Sequence, residues 1–254
     1  MKLSTRTIAL VAVFAALYYA LSLVSPFIPA VAVPEITIKL EAAVASVFGL
    51  LLGPYVGFLT ALLGALLAWI LPPSGGLSYG LPFLLSPPLN ALVVGFIFYK
   101  KWKFAFVTLA ALILAFWFLP PSQPVSEYWY VGFATTWDSI IALALIFPVV
   151  KLATFGSIRN RALFYFLLAF IGNQTDNLWG ADIFAVPLVY EKIFGFSLLD
   201  EVRFTFVVSP FIYPAIRIIQ AIIVAVVALP LMKTLESSAL VPINESIIAR
   251  SNRT

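Results

Sequence analysis

Apolar runs alternate with short polar breaks along almost the whole chain. Each run is close to the roughly 20 residues that a helix needs to cross the hydrocarbon core of a bilayer. The breaks between runs are rich in proline and glycine, which favour turns. The pattern predicts eight membrane-spanning runs, and these are Thr7–Val24, Ile36–Leu52, Tyr55–Leu71, Leu81–Tyr99, Phe104–Leu119, Val131–Val150, Ala162–Trp179 and Phe204–Leu231.

The second and third runs are short, and little more than Gly53-Pro54 joins them. We therefore expect them to be tilted or partly re-entrant. The predicted fold is all-α: a polytopic transmembrane helical bundle of six to eight helices. We treat residues 1–254 as a single integral membrane domain.

The composition supports a membrane protein. Hydrophobic residues make up 63% of the 254 positions, and charged residues make up only 10%. Ordinary soluble domains hold about 45–50% apolar and about 25% charged residues. So few charges cannot cover the surface of a soluble chain of this length, so most of the outer surface is expected to face lipid.

Lysine and arginine prefer the cytoplasmic loops of membrane proteins, and their distribution predicts an orientation. With the N-terminus inside and eight crossings, only Lys39, Lys192 and Arg203 fall on the outer side. The basic residues on the inner side are Lys2, Arg6, Lys100, Lys101, Lys103, Lys151, Arg159, Arg161, Lys233, Arg250 and Arg253. Both termini, including a short C-terminal tail, are therefore predicted to be cytoplasmic in a multi-pass protein of the cell membrane. We expect no binding of nucleic acid, because no basic and aromatic residues cluster as they would on such a surface.

The N-terminal run also has features of a signal peptide. A basic start and an apolar stretch are followed by Ala30-Val31-Ala32, which resembles a cleavage site. The stretch is long for a signal, and Pro26 and Pro29 intervene, so the sequence favours a retained first span.

Several classes of chemistry are excluded. The chain has neither cysteine nor histidine, which excludes disulfides, thiol nucleophiles, histidine metal ligands and imidazole proton relays. No G-x-x-x-x-G-K-[ST] loop occurs, so any ATP that drives this protein is hydrolysed by another chain. We expect no enzyme activity, no metal and no cofactor.

Small residues recur at helical spacing in the first three runs. The first run has Ala12, Ala16 and Ala20, and the next two have glycines from Gly49 to Gly57. In lipid, small residues let helices approach closely. Such a face serves either internal packing or the docking of another membrane subunit, and spacing alone leaves both open.

Strongly polar groups lie inside the later spans. Burying a charge at the bilayer centre costs at least about 2.5–3.5 kcal/mol on insertion scales, so such groups need a partner or a role. On the predicted topology most fall in the outer half of the membrane. The small-residue faces lie in the first four runs and most of the buried polar groups in the last three, so we divide the chain into a packing and docking half (1–100) and a polar-pocket half (101–254). An ion pair between an aspartate and Arg217 that only locks the bundle is the alternative. The candidate substrate-binding residues are Asn90, Trp137, Asp138, Asn173, Asp176, Asn177, Arg217 and Gln220.

Part of the chain resembles a known family. The segment RTIALVAVFAAL at 6–17 resembles the opening of the substrate-binding S components of energy-coupling factor (ECF) transporters. After a proline-containing loop, the segment GLLLGPYVGFL at 49–59 is similar to the glycine-rich turn between the second and third helices of that family. This resemblance covers residues 5–100. The segment Gly172–Gly180 is similar to a Gly-x-x-x-Asp-x-x-x-Gly feature of archaeal membrane proteins assigned to the same group.

The resemblance implies a function. S components bind a vitamin or other micronutrient from outside and dock on a membrane coupling subunit that carries two ABC ATPases. Ala12, Ala16 and Ala20 would then contact the coupling subunit, and the small-molecule solute would lie under the external loops near the later helices. The family usually has six transmembrane helices, whereas eight runs are counted here.

Two other functions stay open at this point. One is a structural or assembly subunit of a larger membrane complex, in which small-residue faces pack against partners. The other is an ion-coupled secondary carrier, although the inverted repeats common in carriers are not evident in the sequence.

Overall fold

The structure, a computed structural model, describes residues 4–24, 28–30, 33–38, 43–76, 78–154 and 161–238. Within these ranges the chain forms nine α-helices and one short hairpin. The expected C-terminal tail lies outside them, as do Lys2, Pro26, Val31, Ala32, Lys39, Arg159, Arg250 and Arg253. The helices are α1 (Thr5–Val24), α2 (Val44–Ile70), α3 (Ser86–Phe98), α4 (Trp102–Phe118), α5 (Val125–Thr154), α6 (Arg161–Phe184), α7 (Pro187–Lys192), α8 (Leu199–Val208) and α9 (Tyr213–Ser238).

The helical bundle predicted from the sequence is confirmed. Among the described residues, five helical stretches are long and apolar enough to cross a membrane, and α4 is a shorter apolar helix. The five stretches are Thr5–Val24, Val44–Ile70, Gly80–Phe98, Val125–Leu152 and Tyr213–Thr234. With 24 residues, α6 is also long enough to cross, but it carries the polar cluster of residues 172–180.

The start of the second predicted run was wrong. Strand β1 (Ile28–Ala30) pairs antiparallel with β2 (Val33–Ile38), and the helix begins only at Val44. The residues VPEITI of β2 are rich in β-branched side chains, which favour strands over helices. The hairpin contacts the 3₁₀ turn Ser78–Phe83 that precedes α3, so it lies at the same end of the bundle as that turn.

Helix α2 folds sharply back on itself at Gly53, whose φ of 80° and ψ of 177° are not helical. A Cβ added to Gly57 would lie 2.8 Å from the carbonyl oxygen of Phe48. Residues nine positions apart in a straight helix would be about 13 Å apart along its axis. The two arms, Val44–Leu52 and Pro54–Ile70, therefore fold back against each other without a loop between them. The nine residues of the first arm make only about 13 Å of helix, less than half of the roughly 30 Å hydrocarbon core, so this arm is re-entrant. This agrees with the expectation that the short runs are tilted or partly re-entrant.

Helix α3 closes this fold. A Cβ added to Gly95 would lie 2.6 Å from both the nitrogen and the Cα of Pro54, so the backbones are in direct contact. Pro54 has no N–H, so the carbonyl of Leu50 loses its usual helical partner. The Tyr99 hydroxyl lies 3.4 Å from the carbonyl oxygens of Leu50 and Leu51 and donates to both. In a bilayer, where water cannot solvate a freed carbonyl, this contact stabilises the turn.

The last predicted run, Phe204–Leu231, was also wrong as a single segment. Helix α8 ends at Val208, a 3₁₀ turn follows at Ser209–Phe211, and α9 begins at Tyr213. Pro210 and Pro214 cannot donate the hydrogen bonds that a continuous helix would need. Helices α7 and α8 thus connect α6 to α9 at one end of the bundle.

The two arms of α2 leave and return to the same end of the bundle, and counting one crossing each for α1, α3, α4, α5, α6 and α9 gives six crossings in the described chain. The start of α1 and the end of α9 therefore lie on the same side. The Tyr19 hydroxyl donates to the carbonyl of Pro72 at 2.9 Å, which brings the end of α1 to the end of α2. The cluster Lys100, Lys101 and Lys103 marks the opposite end, and the charge rule assigns that end to the cytoplasm.

The absence of native cysteine allows a direct test of orientation. We expect the exposed Lys192→Cys to react with a membrane-impermeant maleimide in intact cells. Lys103→Cys, which is exposed at the other end, should react only after the membrane is opened. The reverse pattern would show that the orientation is inverted.

The close helix contacts predict a large effect of Gly49→Ala. The new methyl group would meet the Ala91 carbonyl and lie 3.0 Å from the Gly95 nitrogen, both of them backbone atoms that cannot turn away. We expect a loss of about 1–3 kcal/mol in stability, measured as a lower Tm in detergent. The matched control is Gly180→Ala, whose methyl group would lie 3.8 Å from Phe83 and should leave Tm unchanged or raise it. Equal Tm values for the two variants would contradict this packing.

Candidate functional site

Helix α6 lies at the centre of the polar residues. Its sequence GNQTDNLWG at 172–180 directs neighbouring amides to three different helices. Asn173 contacts α3, Asn177 contacts α9, and Gln174 faces α5. Successive helical residues are 100° apart, so one polar segment can face several neighbours at once.

Toward α3, the contact is a chain of buried hydrogen bonds. The Ser46 hydroxyl donates to Asn90 Oδ1 at 2.7 Å, and Asn90 Nδ2 donates to Asn173 Oδ1 at 3.0 Å. All three side chains are at most 1% exposed. The close approach depends on Gly172, where any added Cβ would overlap Asn90 and Val94.

Toward α9, the contact is made by Arg217. Its Nη2 donates to Asn177 Oδ1 at 3.0 Å, and its Nη1 donates to Gln220 Oε1 at 2.8 Å. Arg217 is 6% exposed. These hydrogen bonds go to neutral amides and not to a carboxylate, which differs from the Asp–Arg ion pair considered as a simple lock.

Toward α5, the contact centres on Asp138. Its Oδ1 accepts a hydrogen bond from the Ser139 backbone N–H at 2.8 Å, and it is near enough to Arg217 to attract the guanidinium. The Gln174 amide faces the same carboxyl group, but neither its oxygen nor its nitrogen forms a hydrogen bond of normal geometry. We call the residues that meet around α6 the polar centre: Asn90, Asp138, Asn173, Gln174, Asn177, Arg217 and Gln220.

Several buried atoms of the polar centre have no hydrogen-bond partner within the described chain. The clearest cases are Asn173 Nδ2 and Arg217 Nε, and the Gln174 amide adds its oxygen and nitrogen, which face Asp138 without a hydrogen bond of normal geometry. More than nine in ten buried polar groups in proteins are normally paired, because an unpaired one costs about 1–3 kcal/mol. A bundle lock would satisfy its own polar groups, so the unpaired atoms favour a site that a ligand completes.

The other predicted residues lie at or near the polar centre. Asp176 is buried on α6 between Asn173 and Asn177 in helical register, with 8% of its surface exposed. Trp137 is only half-buried, beside Asp138 on α5. Both remain predicted ligand contacts, as do the predicted members of the polar centre.

The sequence did not single out Ser46 or Gln174. Gln174 was visible in the polar cluster, but helical spacing separates it from the face shared by Asn173 and Asn177. Ser46 lies in an apolar run with no polar neighbour in sequence, so nothing marked it. Only its approach to Asn90 on another helix shows its role.

Arg203, which the charge pattern assigned to an outer loop, is 9% exposed. Its Nε and Nη2 donate to the carbonyls of Pro121 and Gln123 at 3.2 and 2.8 Å, and its Nη1 pairs with Asp200 at 2.8 Å. The guanidinium carbon lies 3.2 Å from the centre of the Tyr128 ring. Arg203 therefore links α8 to the turn between α4 and α5 at the outer end of the bundle. We call this contact of Arg203 with Pro121, Gln123, Tyr128 and Asp200 the outer cap.

The two sets of small residues have different surroundings. Ala12, Ala16 and Ala20 are exposed, because α1 packs on α2 through Ala15 and Tyr18. The glycines Gly49 and Gly57 are buried in internal contacts. Internal packing thus accounts for the glycines of α2, whereas the alanine face of α1 is open to lipid or to a partner.

The family described as the ECF-type riboflavin transporter S component matches residues 2–174. The chain belongs to this family. Members are substrate-binding subunits of transporters, so the expectation that this chain is not an enzyme is confirmed. The chain is a multi-pass membrane protein, as the sequence predicted. The match ends within the polar cluster of α6, so Arg203, Arg217 and Gln220 lie beyond it.

One curated protein is similar in sequence to part of this chain. An uncharacterized protein of Methanocaldococcus jannaschii is 27% identical over 141 residues, which cover 55% of this chain and 46% of that protein. The chain therefore matches less than half of the relative's length. No solved structure matches the chain.

Proposed function

We propose that this chain captures riboflavin or a closely related flavin from the outside of the cell membrane and delivers it as part of an ECF-type ABC importer. The observation that carries the proposal is the set of buried, unpaired amide and guanidinium atoms around α6. Membership of a family described by riboflavin transport supports the identity of the ligand.

The chemistry of the polar centre fits such a ligand. The isoalloxazine ring of riboflavin carries carbonyl and ring-nitrogen acceptors beside an N–H donor along one edge. Side-chain amides both donate and accept, so Asn173 and Gln174 can pair with such an edge. Arg217 supplies further donors, and the half-buried Trp137 and Trp179 offer rings for stacking on a flat ligand. Pairing these groups with the ligand removes the cost of leaving them unsatisfied.

The exposed face of α1 supports docking on a membrane coupling subunit. Ala12, Ala16 and Ala20 form an exposed stripe of small side chains on a helix in which only Ala15 and Tyr18 are buried. Close approach of small-residue faces is how helices associate in lipid. We propose that two ABC ATPases on the coupling subunit supply the energy for transport, since this chain has no phosphate-binding loop of the P-loop type.

The binding proposal predicts that Arg217→Gln weakens riboflavin binding. Loss of a charged donor should raise Kd at least ten-fold, since hydrogen bonds to charged groups contribute about 1.5–3 kcal/mol. The measurement is fluorescence quenching of riboflavin by purified protein, together with the ligand-induced rise in Tm. Saturating riboflavin at 100 times Kd should stabilise the wild-type protein by about 2.7 kcal/mol.

Arg203→Lys is the matched control, because Arg203 is also a buried arginine but lies in the outer cap. It should lower Tm without ligand and leave the riboflavin-induced shift in place. A wild-type protein that neither quenches riboflavin nor gains stability from it would contradict the proposal.

The docking proposal predicts a separate effect of Ala16→Trp. The bulky side chain would prevent close approach to the coupling subunit while leaving the polar centre untouched. We expect loss of riboflavin uptake in cells with normal binding by purified protein. Leu17→Trp, at an exposed α1 position 100° around the helix from Ala16, is the control and should retain uptake. Equal uptake by both variants would show that the alanine stripe does not dock.

A further inference from the structure

We propose that Ser46, a residue on α2 far from the predicted ligand contacts in sequence, determines which atom of the Asn173 amide faces the ligand. This makes Ser46 a positioning residue for substrate selection. The inference rests on the proposed function, because it requires that Asn173 contact the ligand.

The hydrogen-bond chain has a direction. The Ser46 hydroxyl donates to Asn90 Oδ1, which leaves Asn90 Nδ2 to donate to Asn173 Oδ1. The Asn173 amide is thereby oriented with its Nδ2 group away from Asn90. That Nδ2 group has no hydrogen-bond partner within the described chain, although Asn173 is only 1% exposed.

An amide can rotate by 180° and exchange its oxygen and nitrogen, so the direction needs a cause. In the reversed chain, Asn90 would donate to Ser46 and accept from Asn173, and Asn173 would present its oxygen to the ligand. The Ser46 hydroxyl would then accept from Asn90, and its own proton would need another acceptor at a position that is 0% exposed. The reversed chain would also place the Asn90 NH₂ group against Gly172, where Asn90 Oδ1 now makes the closest approach. An amide nitrogen there would face Cα hydrogens and not an acceptor.

The fixed orientation of the Asn173 amide determines which kind of ligand atom the site prefers. With Asn173 fixed as a donor, the site selects a ligand edge that presents a carbonyl oxygen or a ring nitrogen. Ser46 achieves this from a position two hydrogen bonds away. It is also held on a different helix, on the arm of α2 that precedes the Gly53 turn.

The test compares Ser46→Ala with Ser46→Thr, which keeps the hydroxyl. We expect Ser46→Ala to raise the riboflavin Kd about ten-fold, because the orientation of the Asn173 donor is no longer fixed. Ser46→Thr should restore most of the affinity. Thr60→Ala is the control, since Thr60 is an equally buried hydroxyl of α2 whose hydrogen bond, within the part of the chain that the structure describes, goes to the Val56 carbonyl of its own helix.

A second readout separates positioning from simple destabilisation. A hydrogen bond from Asn173 to a flavin carbonyl lowers the carbonyl stretching frequency, which infrared difference spectra of bound riboflavin can follow. We expect this band to move to higher frequency in Ser46→Ala and to stay in place in Ser46→Thr and Thr60→Ala. A variant that is only less stable would have a lower Tm with an unchanged band.

The outcomes distinguish the two proposals. If wild-type protein binds riboflavin and Ser46→Ala leaves both Kd and the carbonyl band unchanged, the role of Ser46 is overturned while the proposed function stands. If Ser46→Thr fails to fold, the contrast between Ser46→Ala and Thr60→Ala still decides the question. Failure of wild-type protein to bind riboflavin overturns the proposed function and this inference with it.

Discussion

A polar group inside a bilayer must find its partner within the protein, and this constraint explains the arrangement of the helices. Helix α6 carries more amide and carboxyl groups than lipid could tolerate on an outward face. It therefore lies between α3, α5 and α9, each of which contributes a buried polar residue to meet it. The most polar helix is thus among the most enclosed, and the apolar surfaces of α4 and α9 are left to face lipid.

That arrangement requires backbones to approach more closely than ordinary side chains permit. Gly49 and Gly95 bring α2 and α3 together, and Gly172 brings α6 against Asn90. The same close contact places Ser46 within reach of Asn90. The glycines of the first half therefore bring together the helices whose polar residues form the polar centre. The sequence alone had suggested separate roles for the glycines and the amides.

The features that the sequence predicted well depend on composition over long stretches. Helix existence and the polar character of α6 follow from runs of many residues, whose signals add. The errors occurred where a few residues decide, as at β2, where β-branched side chains outweigh the apolar run, and at the prolines between α8 and α9. Asn90, Asp138 and Arg217 could be proposed because a strongly polar group in an apolar run is conspicuous. Ser46 and Arg203 could not, because a serine is common in such runs and an arginine in a loop is unremarkable until the fold buries it.

Arg203 has a further consequence for comparing sequences of this kind. Two of its hydrogen bonds end on the main-chain carbonyls of Pro121 and Gln123, so they depend on the path of the backbone and not on which side chains those positions carry. Substitutions at the two acceptor positions can accumulate without disturbing the contact, provided that the turn keeps its shape. Covariation between sequence positions would therefore miss this link between α8 and the rest of the bundle. Finding the same contact in a related protein requires its structure.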